Sequence, residues 1–173
     1  TPAPPGKVLI SEVRTSGPAG PGDDFVEIYN NDNSAVTVTT TDGSSGWGLF
    51  AMGADCNATP VLVGVIPKDT TILPGRGHYL FTGSQYSLKD YGGTDAALGD
   101  SPLTADLPSD ANLALFNTSD VANISALTRL DAALRWMPAD PPWRLKRLAH
   151  WVLPYDSTAV IDEGGEATRA IFR

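Results

Sequence analysis

The sequence predicts an all-β protein, a sandwich of short strands, and three observations carry that expectation. Short apolar runs recur between clusters of Gly, Pro, Asn, Asp and Ser, which is the rhythm of strands and turns. The runs are rich in Val, Ile, Thr, Tyr and Phe, residues that fit a pleated, half-buried surface. Charged residues make up only 18% of the 173, against about a quarter in an ordinary globular domain. Thr, Ser, Gly, Pro and Asn fill the difference, a composition suited to a β-rich extracytoplasmic protein.

Taken in order, the Pro-rich start TPAPPG (residues 1–6) reads as a linker or a trimmed N-terminus. KVLISEV (Lys7 to Val13) is the first strand, and the Gly/Pro-rich loop SGPAGPGDD follows it. In FVEIYN (Phe25 to Asn30) the period of two puts Phe25, Glu27 and Tyr29 on one face and Val26 and Ile28 on the other. NNDNS reads as a hairpin turn leading into AVTVTTT, because Asn and Asp tolerate left-handed backbone angles. GWGLFAM, PVLVGVI, TTILPG, HYLFTG and ANLALFN complete a set of seven or eight strands, with no internal repeat of fixed period.

Beyond these, LTRLDAALRWM (Leu127 to Met137) satisfies two periods. Leu127, Leu130, Leu134 and Met137 fit a helical face, while Leu130, Ala132, Leu134 and Trp136 fit strand alternation. Periodicity leaves both readings open. The sandwich is expected over residues 7–137, with residues 138–173 a C-terminal extension packed on it. Within the extension, WRLKRLAHWV fits a short helix or a strand.

The order of these pieces resembles the lamin tail domain family, an immunoglobulin-like β-sandwich. LISEV matches the family's opening strand, and DDFVEIYN its Asp-Glu-Phe-(Ile/Val)-Glu-(Leu/Ile)-Tyr-Asn motif. SGWGLF matches its Gly-Trp step, TILPGRGHYLF its Leu-Pro-Gly turn and following strand, LPSDANLALFN a further strand, and RLDAALR the strand carrying Leu-Asp-Ala. The resemblance spans roughly residues 7 to 135, and departs in the insert from Ala54 to Val65 and the loop from Ser84 to Leu107. It implies a part of a secreted or surface protein, in bacteria sometimes found beside a nuclease or other catalytic domain. Glu12 and Glu27 fall at family positions, where the plain expectation is a carboxylate hydrogen-bonded to neighbouring loops.

Sites of chemistry are sparse. DGSSGW lacks a G-x-S-x-G elbow, and there is no H-E-x-x-H, C-x-x-C or phosphate-cradling loop. Cys56 is the sole cysteine, which excludes an intrachain disulfide, and a buried structural thiol is expected. A Cys56 pair with His78 or His150, and a Glu12/Glu27 acid–base pair, rank below the structural reading of the same residues. Asp23, Asp24, Asn31, Asp32 and Asn33, or Asp106 and Asp110, offer oxygens to calcium, but the D-x-[DN]-x-[DN]-G pattern is missing. No catalytic residue, metal or cofactor is expected.

Charge is uneven. The chain carries −8 overall, which disfavours nucleic acid, and no apolar run approaches a membrane span. Yet Leu127 to Leu153 holds five Arg/Lys against two Asp, and within it Trp143, Arg144, Lys146, Arg147 and Trp151 mix aromatics with cations. These residues either close one end of the sandwich or form a docking patch for a protein or an anionic polymer. Trp143, Arg144, Lys146 and Arg147 are the expected binding residues. The expected function is a non-catalytic interaction module of an exported, cell-surface or extracellular protein, a monomer within a longer chain. The alternative is an accessory polymer- or carbohydrate-binding domain for an attached nuclease or hydrolase.

Overall fold

The computed structural model describes residues 6–52, 59–72, 77–87, 99–109 and 112–135, and the short strands 158–161 and 168–169. In chain order the strands are β1 (Val8–Arg14), β2 (Phe25–Asn30), β3 (Val36–Thr37), β4 (Gly46–Met52), β5 (Val61–Pro67) and β6 (Thr71–Ile72). They continue with β7 (His78–Thr82), β8 (Ser101–Pro102), β9 (Asn112–Phe116), β10 (Arg129–Arg135), β11 (Thr158–Ile161) and β12 (Thr168–Arg169). One five-stranded sheet runs β12-β1-β2-β7-β8, a second runs β11-β10-β9-β4-β5, and β3 and β6 pair separately. Pairing is antiparallel except for β7 with β8 and β10 with β11. This is the all-β sandwich that the turn-punctuated sequence implies.

The core draws on both sheets. Val8, Ile10, Val13, Val26, Ile28, Tyr79 and Phe81 from the first meet Trp47, Leu49, Val63, Ile66, Leu113, Leu115, Leu130 and Ala133 from the second. Strand β2 obeys its alternation, with Val26 and Ile28 fully buried in that core. Strand β1 does not keep one parity, because the register with β2 slips between Ile10 and Glu12. Ser11 is the extra residue, so the inward face switches from Val8 and Ile10 to Val13 across the bulge. A matching slip between Arg129 and Asp131 in β10 brings both Leu130 and Ala133 to the core.

These two irregular strands are joined across the sandwich. The backbone N–H of Ile10 donates to Asp131 Oδ2 at 2.7 Å, and Asp131 is only 2% exposed. The Gly-Trp step has its own physical reason. A Cβ on Gly46 would collide with the Ile66 carbonyl oxygen, so only glycine lets β4 run this close to β5. Trp47 then fills the core and gives its indole N–H to the Thr39 carbonyl at 2.9 Å. Phe50, Ala114, Phe116 and Ala132 form a second buried cluster, in which the Phe50 and Phe116 rings meet edge to face.

The structure decides one open expectation and corrects another. Residues 129–135 form a strand, which resolves the helix-or-strand ambiguity for that part of Leu127 to Met137, while Trp136 and Met137 lie outside the described residues. NNDNS is not a hairpin turn: both edges of β2 are taken, by β1 and β7, so the chain leaves the sheet and β3 pairs with β6. Nor do left-handed angles shape it, since Asp69 is the one non-glycine with positive φ among the described residues. Asn30 organises the turn instead. Its Oδ1 accepts from the Asp32 amide, and its Nδ2 donates to the carbonyls of Ser34 and Ile72. The strand expected over AVTVTTT shrinks to Val36–Thr37.

Candidate functional site

The paired aspartates ahead of β2 are structural. Asp23 is 1% exposed and forms a buried ion pair with Arg14, whose Nε also donates to the Asp23 carbonyl at 2.9 Å. Asp23 Oδ1 accepts further from the Ser87 amide at 3.1 Å, and Oδ2 from the Ala19 amide at 3.2 Å. The Arg14 guanidinium lies against the Phe25 and Tyr86 rings, 5.0 and 5.3 Å from their centroids. A buried cation is tolerated here because charge, hydrogen bonds and aromatic faces all meet it. Asp24, fully buried, points the other way and accepts the Leu107 N–H through Oδ2 at 2.7 Å.

Polar chemistry gathers instead on the outer face of the first sheet. Glu12 and Glu27 stand directly opposite one another across β1 and β2. Like charges so placed repel, and a histidine and an arginine position flank them. His78, the first residue of β7, reaches Glu27 Oε1 through Nδ1 at 2.9 Å, and Arg169 of β12 is the register partner of Glu12. Ser11, displaced by the bulge, donates its hydroxyl to the same Glu27 Oε1 at 2.6 Å. The Tyr29 ring sits 5.0 Å from the His78 ring. Sequence reasoning found Glu12 and Glu27 but missed that Ser11 and His78 join them. Pairing HYLFT against FVEIYN in antiparallel register is the signal that sets His78 opposite Tyr29, next to Glu27.

This Ser–Glu–His set is not wired as a serine–histidine–acid triad. In a nucleophilic triad the serine proton goes to imidazole and the acid orients the far side of that ring. Here the carboxylate stands between the two, so the Ser11 proton stays hydrogen-bonded to Glu27 and does not meet the imidazole. What the arrangement offers is a partly exposed row of a hydroxyl, carboxylates, an imidazole and a phenol. Such a row can hydrogen-bond polar groups.

The remaining acidic candidates are dispersed. Asp32 pairs with Lys7 on the surface, which holds its carboxyl below the usual range, and Asn31 gives its side-chain amide to the Gly6 carbonyl. Asp42 ties two loops together, accepting from the Ser44 amide and hydroxyl, the Thr118 hydroxyl and Asn123 Nδ2. Those donors, Ser44 foremost, hold it well below the ordinary carboxylate range. Among the described residues no three His, Cys, Asp or Glu side chains gather as a metal set, and no helix is long and apolar enough to cross a membrane. Cys56, Asp110, His150 and the expected binding residues Trp143, Arg144, Lys146 and Arg147 lie outside the described residues. No family model, no curated protein and no solved structure matches the chain.

Proposed function

We propose that the chain is a non-catalytic interaction module of an exported protein, of the lamin-tail type. The observation that supports the non-catalytic reading is the wiring of Ser11, Glu27 and His78, in which the serine hydroxyl and the imidazole meet the same carboxylate oxygen and do not form a serine–histidine–acid triad. The fate of the remaining acidic groups supports it, since Asp23, Asp42 and Asp131 each hold hydrogen-bond donors that fix loops or strands. The lamin-tail assignment is supported by the order of motifs: LISEV, FVEIYN, GWGLF, HYLFT, NLALF and RLDAALR fall on β1, β2, β4, β7, β9 and β10. The partner is an anionic protein or polymer, met by Trp143, Arg144, Lys146 and Arg147. An acidic body with one basic aromatic stretch orients such a partner through its change of field sign.

The test is a triple change of Arg144, Lys146 and Arg147 to Ala in the full 173-residue chain, assayed on immobilised heparin and isolated cell envelope. The expected result is lost, salt-sensitive retention with an unchanged melting temperature. Collapse of stability would make the stretch structural and refute the docking reading. Hydrolytic activity of the pure chain that Glu27→Gln abolishes would refute the non-catalytic one.

A further inference from the structure

Asp24 is buried in an arrangement that a carboxylate does not suit. One oxygen, Oδ2, accepts the Leu107 N–H. The other, Oδ1, is fully enclosed and has no hydrogen-bond partner among the described residues. The Gly22 carbonyl oxygen and Gly83 lie beside it: a Cβ placed on Gly83 would collide with both Asp24 Oδ1 and the Gly22 carbonyl oxygen. Two oxygens thus crowd the same point, and neither brings a proton. The Gly22 carbonyl already accepts from the Gln85 amide at 2.8 Å, which leaves it a second lone pair. A buried ionised oxygen facing a carbonyl is costly, whereas a hydroxyl in the same place makes a hydrogen bond.

We propose that Asp24 is held as a neutral carboxylic acid whose Oδ1–H is donated to the Gly22 carbonyl, a proton latch at the meeting point of three loops at one end of the sandwich. The loops are the approach to β2 (Gly22 to Asp24), the turn after β7 (Gly83 to Gln85), and the stretch bearing Leu107, itself a core residue. The charged groups facing Asp24 are Asp106, which opposes ionisation, and Arg14, which favours it but is already engaged by Asp23. Burial is the largest influence and raises the Asp24 carboxyl above its ordinary 3.8, against the pull of the Leu107 amide and of Asp24's own amide. A carboxyl raised on folding adds stability that is full below 3.8 and is lost as pH climbs through the native value. The latch therefore holds in acid and loosens as the proton leaves.

Asparagine copies the neutral acid, with an oxygen for the Leu107 amide and an N–H for the Gly22 carbonyl. Melting of the full chain and of Asp24→Asn is followed from pH 4 to 9, with and without added Ca²⁺. The expected result is near-equal melting at pH 4 and a variant that becomes the more stable as pH rises. A variant less stable throughout, by a gap constant or widening with pH, would overturn the proposal. So would Ca²⁺ stabilising the native chain but not the variant, since a cation would then occupy the space assigned to the proton. Should Asp24→Asn fail to fold, carboxyl ¹³C NMR of the native chain decides. The Asp24 resonance must stay at its protonated position after exposed aspartates have titrated, and titration alongside them refutes the latch.

Discussion

Replacing Asp131 with Ala removes a side-chain acceptor that bridges the two sheets. Asp131 lies in β10 at 2% exposure, and its Oδ2 accepts the Ile10 N–H at 2.7 Å, from a residue that is 0% exposed. A hydrogen bond to a charged group contributes about 1.5–3 kcal/mol, and a buried donor left without a partner costs about 1–3 kcal/mol. These overlap, because both describe the same N–H, and losing a buried carboxylate returns part of its desolvation cost. The net expectation is a loss of about 2–3 kcal/mol, or a fall in melting temperature of roughly 5–10 °C for a chain of this size. Asp131→Asn keeps an acceptor oxygen without the charge, and should lose about 1 kcal/mol. Urea denaturation at pH 7 reads both, with an unchanged m-value showing that the variants unfold from the same state. A loss under about 1 kcal/mol for Ala would refute the bridge. Equal losses for Ala and Asn would show that charge, and not acceptance of the Ile10 N–H, is what matters.

Asp23→Ala strands the buried Arg14 guanidinium between Phe25 and Tyr86 and should cost about 3–5 kcal/mol in the same denaturation assay. Gly83→Ala drives a methyl into Asp24 Oδ1 and the Gly22 carbonyl, and should destabilise by more than about 2 kcal/mol, read from the urea midpoint. Asp42→Asn should lower the melting temperature at neutral pH by the equivalent of less than about 1 kcal/mol, because the site is exposed and screened. The depressed native value of Asp42 means that its contribution is present above 3.8 and fades as pH falls, so the melting temperatures of the two chains should converge in acid.

The strands were legible because their cause is local. Alternation in FVEIYN fixes which residues enter the core, and Val26 and Ile28 do. The Gly-Trp step announces β4, although its reason, the close approach of Gly46 to the Ile66 carbonyl, comes from the neighbouring strand β5. Less legible were the bulges. Nothing in LISEV marks Ser11 as the extra residue, so simple alternation would have kept Val8 and Ile10 inward and turned Val13 out, where the structure buries all three. The hairpin expected at NNDNS failed for a related reason. Local turn chemistry says that the chain bends, and only the occupancy of both β2 edges says where it must go next.

The acidic residues show the limit most sharply, because one side-chain type meets opposite fates. Asp42 collects donors from Ser44 beside it and from Thr118 and Asn123, 76 and 81 positions away, and is held firmly ionised. Asp24 receives the Leu107 N–H, from 83 positions away, on one oxygen, and its second oxygen faces a carbonyl. Both sit in Gly- and Asp-rich turns that read alike in sequence. What separates them is burial, complete at Asp24 and absent at the exposed Asp42, together with the donors that reach each carboxylate. Burial raises Asp24 and its donors only partly offset that, whereas exposed Asp42 is lowered first by Ser44 in its own turn and then by Thr118 from across the fold. The sign of each group's pH dependence therefore comes from the turn and the sandwich together.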